Sequence, residues 1–323
     1  MSSVRVRPFR RSDRDQLTDL VNAHASAVVP GMAVSVNAVL TSLERRPGEF
    51  IEDPWVSDRA TLVAEQQNRI VAAAHLLRYY SDERAGPSVR DSGDIVWLVF
   101  WPEAPAGNPW WTDATGAAQD LMAACIGLLD RWGVASQSAG GELPVPGVYG
   151  VPEQWPHVRD LYRSAGFEHV GHTEIVYLAK VEDLPVTATS PIDGLRVLRS
   201  VGINGCRLSA VLTDQVIGYV EVEPIDAGER LSRHGGWANV GNLRVVAEYR
   251  RRRVGTWLVG QAADWLRLAN IDRLLDYAML EGTDPGGLSD DEYRAFLPMV
   301  GFRELTRTQR GWVRDARSHV GAP

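Results

Sequence analysis

The chain has 323 residues, enough for two ordinary domains with separate cores. With 45% hydrophobic and 23% charged residues it reads as globular, and its net charge of −7 disfavours extended nucleic-acid binding, because an acidic chain repels a phosphate backbone. Its two cysteines, Cys125 and Cys206, are too few for a disulfide framework or a multi-cysteine zinc site, which predicts a reducing, cytoplasmic setting.

No apolar run approaches the roughly 18 residues that a membrane span needs, and the opening MSSVRVRPFRRSDRD lacks an apolar signal-peptide core. Neither membrane insertion nor export is expected. Basic charge is almost entirely arginine, with Lys180 the sole lysine, as in a GC-rich bacterial genome.

In chain order, residues 4–9 alternate as a strand. Ser12-Asp13-Arg14-Asp15 then gives a capping-box pattern ahead of Leu17, Leu20 and Val21. Residues 60–64 and 69–77 read as a hairpin around Gln66-Gln67-Asn68, and 94–101 as an almost wholly apolar strand. Over 114–132, Leu121, Cys125, Leu128, Leu129 and Trp132 share one helical stripe. A short strand over 148–151, a helix over 157–165 stopped by Gly166, and a strand over 173–179 complete the first half.

VEDLPVTATSPIDG, residues 181–194, is rich in Pro, Thr and Asp and reads as a linker. Bounded at 183–194, it separates a first domain, 1–182, from a second, 195–323. The second half repeats the order in shortened form. A strand over 195–199 meets the tight turn Gly202-Ile203-Asn204-Gly205, and a hairpin over 207–223 turns at Thr213-Asp214. A strand over 238–246, a helix over 256–269, a strand over 273–280, a helix over 290–299 stopped by Gly301, and a strand over 304–313 follow. The repetition predicts duplication, and the mixture of meander, crossover helix and late strands predicts an α/β (α+β) fold with a mixed sheet.

Four consecutive arginines, Arg250 to Arg253, lie where the strand of Leu243, Val245 and Val246 hands over to a helix. A charge run is most simply a solvated face, and no second basic cluster supports a nucleic-acid patch. The position favours an anion instead. The first N–H groups of a helix lack internal partners and can point at a phosphate. The dipole adds about 0.3–1 kcal/mol per anionic group, and each arginine hydrogen bond about 1.5–3 kcal/mol. Gly255 leaves room for a phosphate to approach the backbone. Neither a Walker loop nor a dinucleotide glycine fingerprint is present.

LRVVAEYRRRRVGTWLV, residues 243–259, resembles the acetyl-CoA motif of the GCN5-related N-acetyltransferases (GNAT), a strand L-x-V-x-P-E-Y followed by [R/Q]-x-x-G-x-[G/A] and a helix. Leu243 and Val245 fall on the strand, Glu248 and Tyr249 on the approach, Arg250 on the basic position and Gly255 on the last small one. Arg253 replaces the middle glycine, which costs about 1–2 kcal/mol if that backbone is left-handed. The resemblance implies an α/β fold of two tandem GNAT-like domains. It implies acetyl-CoA as acyl donor, with the amides of Val254, Gly255 and Thr256 and the side chains of Arg250, Arg251, Arg252 and Arg253 on the pyrophosphate. The strand edge at Leu243, Arg244 and Val245 would pair with the pantetheine arm.

The family's late helix carries Y-x-x-x-G-F, whose tyrosine protonates the leaving thiolate. LYRSAGF supplies it in the first half as Tyr162, Gly166 and Phe167; FLPMVGF in the second keeps Gly301 and Phe302 but puts Leu297 at the tyrosine. In the first half the best match to the phosphate loop is Asp113-x-x-Gly116-x-Ala118, whose aspartate repels pyrophosphate, so coenzyme is expected in the second domain. The second half omits the two early helices that wall the family's acceptor site, so a wall is expected from the first half or from a partner subunit, a homodimer.

Tyr293, one helical turn before Leu297, is the candidate general acid. Tyr219, Glu221 and Glu223 alternate onto one strand face, and Glu221 is the candidate base. Asn239 stands where the family carries a glutamate, and Asp94 beside Tyr162 forms a catalytic-looking pair in the first half. His169 and His172 would face opposite sides and are not expected to share a metal. Trp110-Trp111 could line an acceptor pocket, and Asp284-Pro285-Gly286-Gly287 reads as a turn near the thioester. The expected activity is direct transfer of acetyl to a small-molecule or peptide amine, without nucleic acid, membrane or metal; the alternative is a non-catalytic acyl-CoA sensor.

Overall fold

The computed structural model describes residues 4–44, 55–101, 113–186, 189–225, 236–280 and 290–315. Trp110-Trp111 and the turn at 284–287 lie outside them. The chain forms two compact units, Met1–His172 with Thr308–Pro323, and Thr173–Arg307. Among the described residues no helix is long and apolar enough to cross a membrane.

In the first unit β1 (Arg5–Pro8) leads through a 3-10 turn to α1 (Arg14–Val28). Asp13, rather than Ser12, organises this start. Its carboxylate accepts the Arg10 N–H at 2.8 Å and two Arg7 guanidinium nitrogens at 2.6 and 3.0 Å. The buried Arg7 guanidinium holds the Asp13 carboxyl below the usual carboxylate range. A helix the apolar pattern does not announce, α2 (Val36–Leu43), follows; Ser35 caps it by accepting the Ala38 N–H at 3.1 Å.

The hairpin of β2 (Val56–Gln66) and β3 (Arg69–Tyr79) closes through Gln67 and Asn68, both left-handed at φ 54° and 60°. β4 (Ser92–Phe100) adds to β3, and α3 (Thr115–Trp132) crosses over to β5 (Ser136–Ala139), parallel to β4. Leu121, Cys125 and Leu129 are the buried stripe of α3, and burial pushes the Cys125 thiol up to about 12. Cys206, in the other unit, is half-buried. β6 (Val151–Pro152), α4 (Pro156–Ser164) and β7 (Glu168–His169) follow. Strands of two to four residues, β5 to β7, are too short to show a period in sequence.

In the second unit β8 (Thr173–Lys180) precedes β9 (Arg196–Gly202), β10 (Gly205–Leu212), β11 (Gln215–Pro224) and β12 (Gly236–Val245). α5 (Val254–Leu268), β13 (Ile271–Met279) and α6 (Asp290–Met299) complete the motif. The last described strands are β14 (Arg303–Gln309) and β15 (Trp312–Asp315), separated at Gly311, φ 79°. The 173–179 strand therefore belongs elsewhere than its place in the chain suggests. It pairs with β13 from Arg273↔Lys180 to Met279↔Glu174 and buries Ile175, Tyr177 and Ala179 in the second core. The continuous strand expected over 304–313 is likewise two, and β15 pairs with β5 and β7. Partner choice over such separations depends on long-range pairing, which a local apolar pattern does not encode.

The feature that positions the site is a divergence of parallel strands. β12 pairs with β13 from Gly236↔Ile271 to Asn239↔Leu275, where the register ends. On its other side β12 stays with β11 to Val245↔Gly218, with a bulge that leaves Gly241 unopposed. Residues 240–245 thus present one backbone edge to an opening between β12 and β13.

Candidate functional site

The open edge of β12 runs through a 3-10 turn, Ala247–Tyr249, into the arginine loop. Arg250 folds back, its Nε donating to the Val245 carbonyl at 3.0 Å. Arg251 and Arg253 are both left-handed, at φ 62° and 61°, and Arg253 is the N-cap of α5. Left-handed residues ahead of a helix turn successive N–H groups into one concavity, a known cradle for anions. The amides of Val254, Gly255 and Thr256 lie in the first turn, where helix geometry supplies no internal acceptor. Arg251 lies 3.4 Å from Glu292 on α6, and Arg252 sits 5.8 Å from the Tyr249 ring centre. The loop is basic, with Arg251, Arg252 and Arg253 exposed and Arg250 half-buried. A Cβ at Gly255 would come into ordinary van der Waals contact with the Phe296 ring, at 3.4 Å.

The left-handed backbone gives the missing family glycine a measurable consequence. Arg253→Gly is expected to raise stability by about 1 kcal/mol in thermal melting, whereas Arg253→Ala, which keeps a Cβ at positive φ, gains nothing. Equal melting temperatures for the two variants would contradict strain at this position.

Leu297 is fully buried and cannot replace the family's tyrosine. Tyr293 of α6 donates its hydroxyl to Asp276 Oδ2 at 2.6 Å, and Asp276 is only 4% exposed. Asp276 is the first β13 residue beyond the last β12 pair. Sequence reasoning missed it, although an acid inside the apolar run IDRLLDYAM was its signal. The next residue, Tyr277, donates its hydroxyl to Asn239 Oδ1 at 3.0 Å.

Glu221 lies on the face that sequence alternation assigns it, but its carboxylate is engaged. It is fully buried, accepts Arg207 Nε at 2.6 Å, and accepts the N–H groups of Ile203 and Asn204 at 3.2 and 3.4 Å. Arg207 also stacks on Tyr219, 4.3 Å from the ring centre. Asn204 in turn donates to the Gly241 carbonyl at 3.2 Å, so the Gly202–Gly205 turn is folded over the β12 bulge. Glu221 thus holds a turn in place.

In the first unit the described residues at the corresponding place bond one another. Asp113 accepts the Thr115 N–H at 2.8 Å and sets its own carboxylate at the α3 N-terminus; that bond lowers its pKa. After β5, the N–H groups of Gly140 and Glu142 bond the carbonyls of Ile95 and Val96 at 2.8 and 3.0 Å. At the end of β4 the Phe100 N–H donates to His24 Nε2 at 3.2 Å, and burial drives the His24 pKa down to about 3, keeping the ring neutral. Burial and the nearby Asp94 charge both raise the Tyr162 pKa. Tyr162 is fully buried, and its hydroxyl donates to the Gly140 carbonyl at 2.7 Å.

Residues 187–281 match the model of the Acetyltransferase (GNAT) family. No curated protein matches the chain in sequence. Among solved structures the chain is similar to a tandem GNAT protein from the clavulanic acid biosynthesis pathway. Identity is 14% and the TM-score 0.62, over 99% of this chain and 100% of that one. It is also similar to a GCN5-related N-acetyltransferase from Sphaerobacter thermophilus, at 12% identity and a TM-score of 0.56 over 96% and 94% of the two chains. A glucosamine N-acetyltransferase region of a fungal multi-domain β-N-acetylglucosaminidase matches at 14% identity and 0.58, covering 97% of this chain and 38% of that one. At such identities the likeness establishes the fold, two mixed-sheet units in tandem.

Proposed function

We propose that this chain, a tandem protein of the GNAT superfamily, moves an acetyl group from acetyl-CoA to an amine, with the coenzyme held in the second unit. The observation that carries the reading is continuous. One stretch of β12 edge that, among the described residues, pairs with no strand beyond Asn239 leads directly into a loop of four arginines ahead of a helix N-terminus. In this reading the linear domains are 1–182 and 195–323, joined by 183–194.

The pyrophosphate is bound by the Val254, Gly255 and Thr256 amides and by the side chains of Arg250 to Arg253. The pantetheine arm lies along Leu243, Arg244 and Val245. The amine nitrogen attacks the thioester carbon directly, the carbon–sulfur bond breaks, and no covalent enzyme intermediate forms. Tyr293 is the group on the helix side that can exchange a proton with the departing sulfur, and its bond to Asp276 fixes its orientation. The acceptor is a small-molecule or peptide amine, the setting is cytoplasmic, and a homodimer is one arrangement that would enlarge the acceptor wall.

A second reading, an acyl-CoA sensor without turnover, draws on the engaged states of Glu221 and Tyr293 and on the buried Leu297. Calorimetry with acetyl-CoA and thiol release across primary amines separate the two. Transfer expects one coenzyme per chain and free thiol with at least one amine; binding without thiol release from any amine would leave the sensor.

A further inference from the structure

We infer that the acceptor amine also carries a carboxylate, which Arg244 binds on the sheet face opposite α5; the inference rests on the acetyl-transfer reading. Directly opposed residues of an antiparallel pair share a face. Val220 opposes Leu243, and both lie in the core with α5. Tyr219 opposes Arg244 and Glu221 opposes Asn242, so these four project from the other face. Over β13 and β8 that face is closed, since Leu275 and Val176 are fully buried. On β12 it is open, with Asn242 and Arg244 exposed.

Charge on this open part is unevenly matched. Glu221 spends its carboxylate on Arg207, which also stacks on Tyr219, 4.3 Å from the ring centre. Asn242 donates to the Tyr219 hydroxyl at 3.2 Å. Tyr219 stands directly across from Arg244, yet its ring and its hydroxyl are taken by other side chains. Among the described residues Arg244 has no ion pair, hydrogen bond or ring contact. An exposed guanidinium is therefore left beside two uncharged side chains and one neutralised pair.

Its place decides what it meets. In the acetyl-transfer reading the pantetheine arm lies along Leu243 to Val245, so Arg244 projects from the same stretch of strand. The helix side of the divergence is occupied. Asp276 alternates with Leu274 and Ala278 of the α5 core, and Tyr293 of α6 is bonded to it. The acceptor therefore approaches from the face that carries Arg244. A guanidinium repels a second cation, so a diamine or an aminoglycoside is disfavoured there. A carboxylate on the acceptor reverses the sign. It can take two parallel N–H···O bonds from the guanidinium fork, and that anchor leaves the amine to be turned towards the thioester carbon. A carboxamide of the same shape keeps one neutral acceptor oxygen and forgoes the charge.

The test uses the full chain, Arg244→Gln and Arg244→Lys. The probes are matched pairs, glycine and glycinamide, β-alanine and β-alaninamide, and a dipeptide and its amide, with a diamine and an aminoglycoside as amines that lack a carboxylate. Thiol release gives kcat/KM for each, and calorimetry gives the acetyl-CoA Kd. Wild-type protein should favour the acid of at least one pair about ten- to hundredfold, the size of one charge-assisted hydrogen bond. Arg244→Gln should bring that ratio to about one, the loss falling on the acid. Arg244→Lys keeps the charge but not the fork and should retain part of the preference. An acid preference that survives in Arg244→Gln would overturn the inference, as would wild-type transfer to the amides, the diamine or the aminoglycoside as fast as to the acids; acetyl transfer itself would stand in both cases. An equal loss on acid and amide with weaker acetyl-CoA binding would place the side chain in the coenzyme site and overturn it too. Wild-type protein that binds acetyl-CoA but acetylates none of the probes would remove the transfer reading and this inference with it.

Discussion

Exchanging Arg250 and Arg252 for glutamate is expected to weaken acetyl-CoA binding about a thousandfold, to where calorimetry registers no heat. Each guanidinium–phosphate hydrogen bond contributes about 1.5–3 kcal/mol, so two lost bonds alone give about 3–6 kcal/mol, or two to four powers of ten. The introduced carboxylates add repulsion against a diphosphate at the N-terminus of α5. Arg250 also ties the loop to the Val245 carbonyl, so its replacement loosens the last residue of β12 as well. Arg252→Glu alone, which leaves that tie intact, should lose one to two powers of ten by the same arithmetic. Unchanged secondary structure and melting temperature in both variants keep the result a statement about binding. Undiminished coenzyme uptake would mean that the arginines are a solvated face. A ligand whose affinity collapses with salt and is not displaced by coenzyme A would instead favour RNA.

What could be read beforehand divides along a physical line. Periodic segments and their stops were legible because they are local. The β2–β3 hairpin sits at the predicted polar turn, α3 carries its predicted stripe, and Gly166 and Gly301 end their helices in the left-handed region that glycine allows. The arginine loop was legible for the same reason, since strand, loop and helix are contiguous. Pairing and engagement were not. Which sheet takes Thr173–Lys180, and whether Glu221 is a free base or half of a buried ion pair, depend on residues far away in sequence. Tyr162 shows the same limit. Its motif is intact, yet its hydroxyl bonds the Gly140 carbonyl. A motif reports which side chain is present; its partner decides what that side chain can do.

Removing one partner of the Glu221–Arg207 pair shows which role Glu221 has. Arg207→Ala leaves a carboxylate whose side chain is 1% exposed with two backbone N–H groups for support, and breaking a buried pair in this way costs about 3–5 kcal/mol. Arg207 is itself 30% exposed, so part of the gap can be filled by water and the lower end, about 3 kcal/mol, is expected in denaturant unfolding of the second unit. Glu221→Gln keeps the volume and one acceptor oxygen, enough for the Ile203 N–H on the Oε1 side but not for the Asn204 N–H on the Oε2 side, and should lose less, about 1–2 kcal/mol. The two roles then separate cleanly. If Glu221 were the base that takes the amine proton, the glutamine variant would lose transfer while remaining nearly as stable as the parent. If it is the peg that holds the Gly202–Gly205 turn over the bulge at Gly241, transfer should fall with stability and recover where the fold is restored. Gly202 supplies an independent check, because a Cβ on it would collide with Glu221 Oε1. Gly202→Ala should therefore destabilise the turn by driving the Glu221 carboxylate from its seat while leaving both partners of the ion pair in the chain, and unchanged stability in that variant would contradict the role of Glu221 as a peg for the turn.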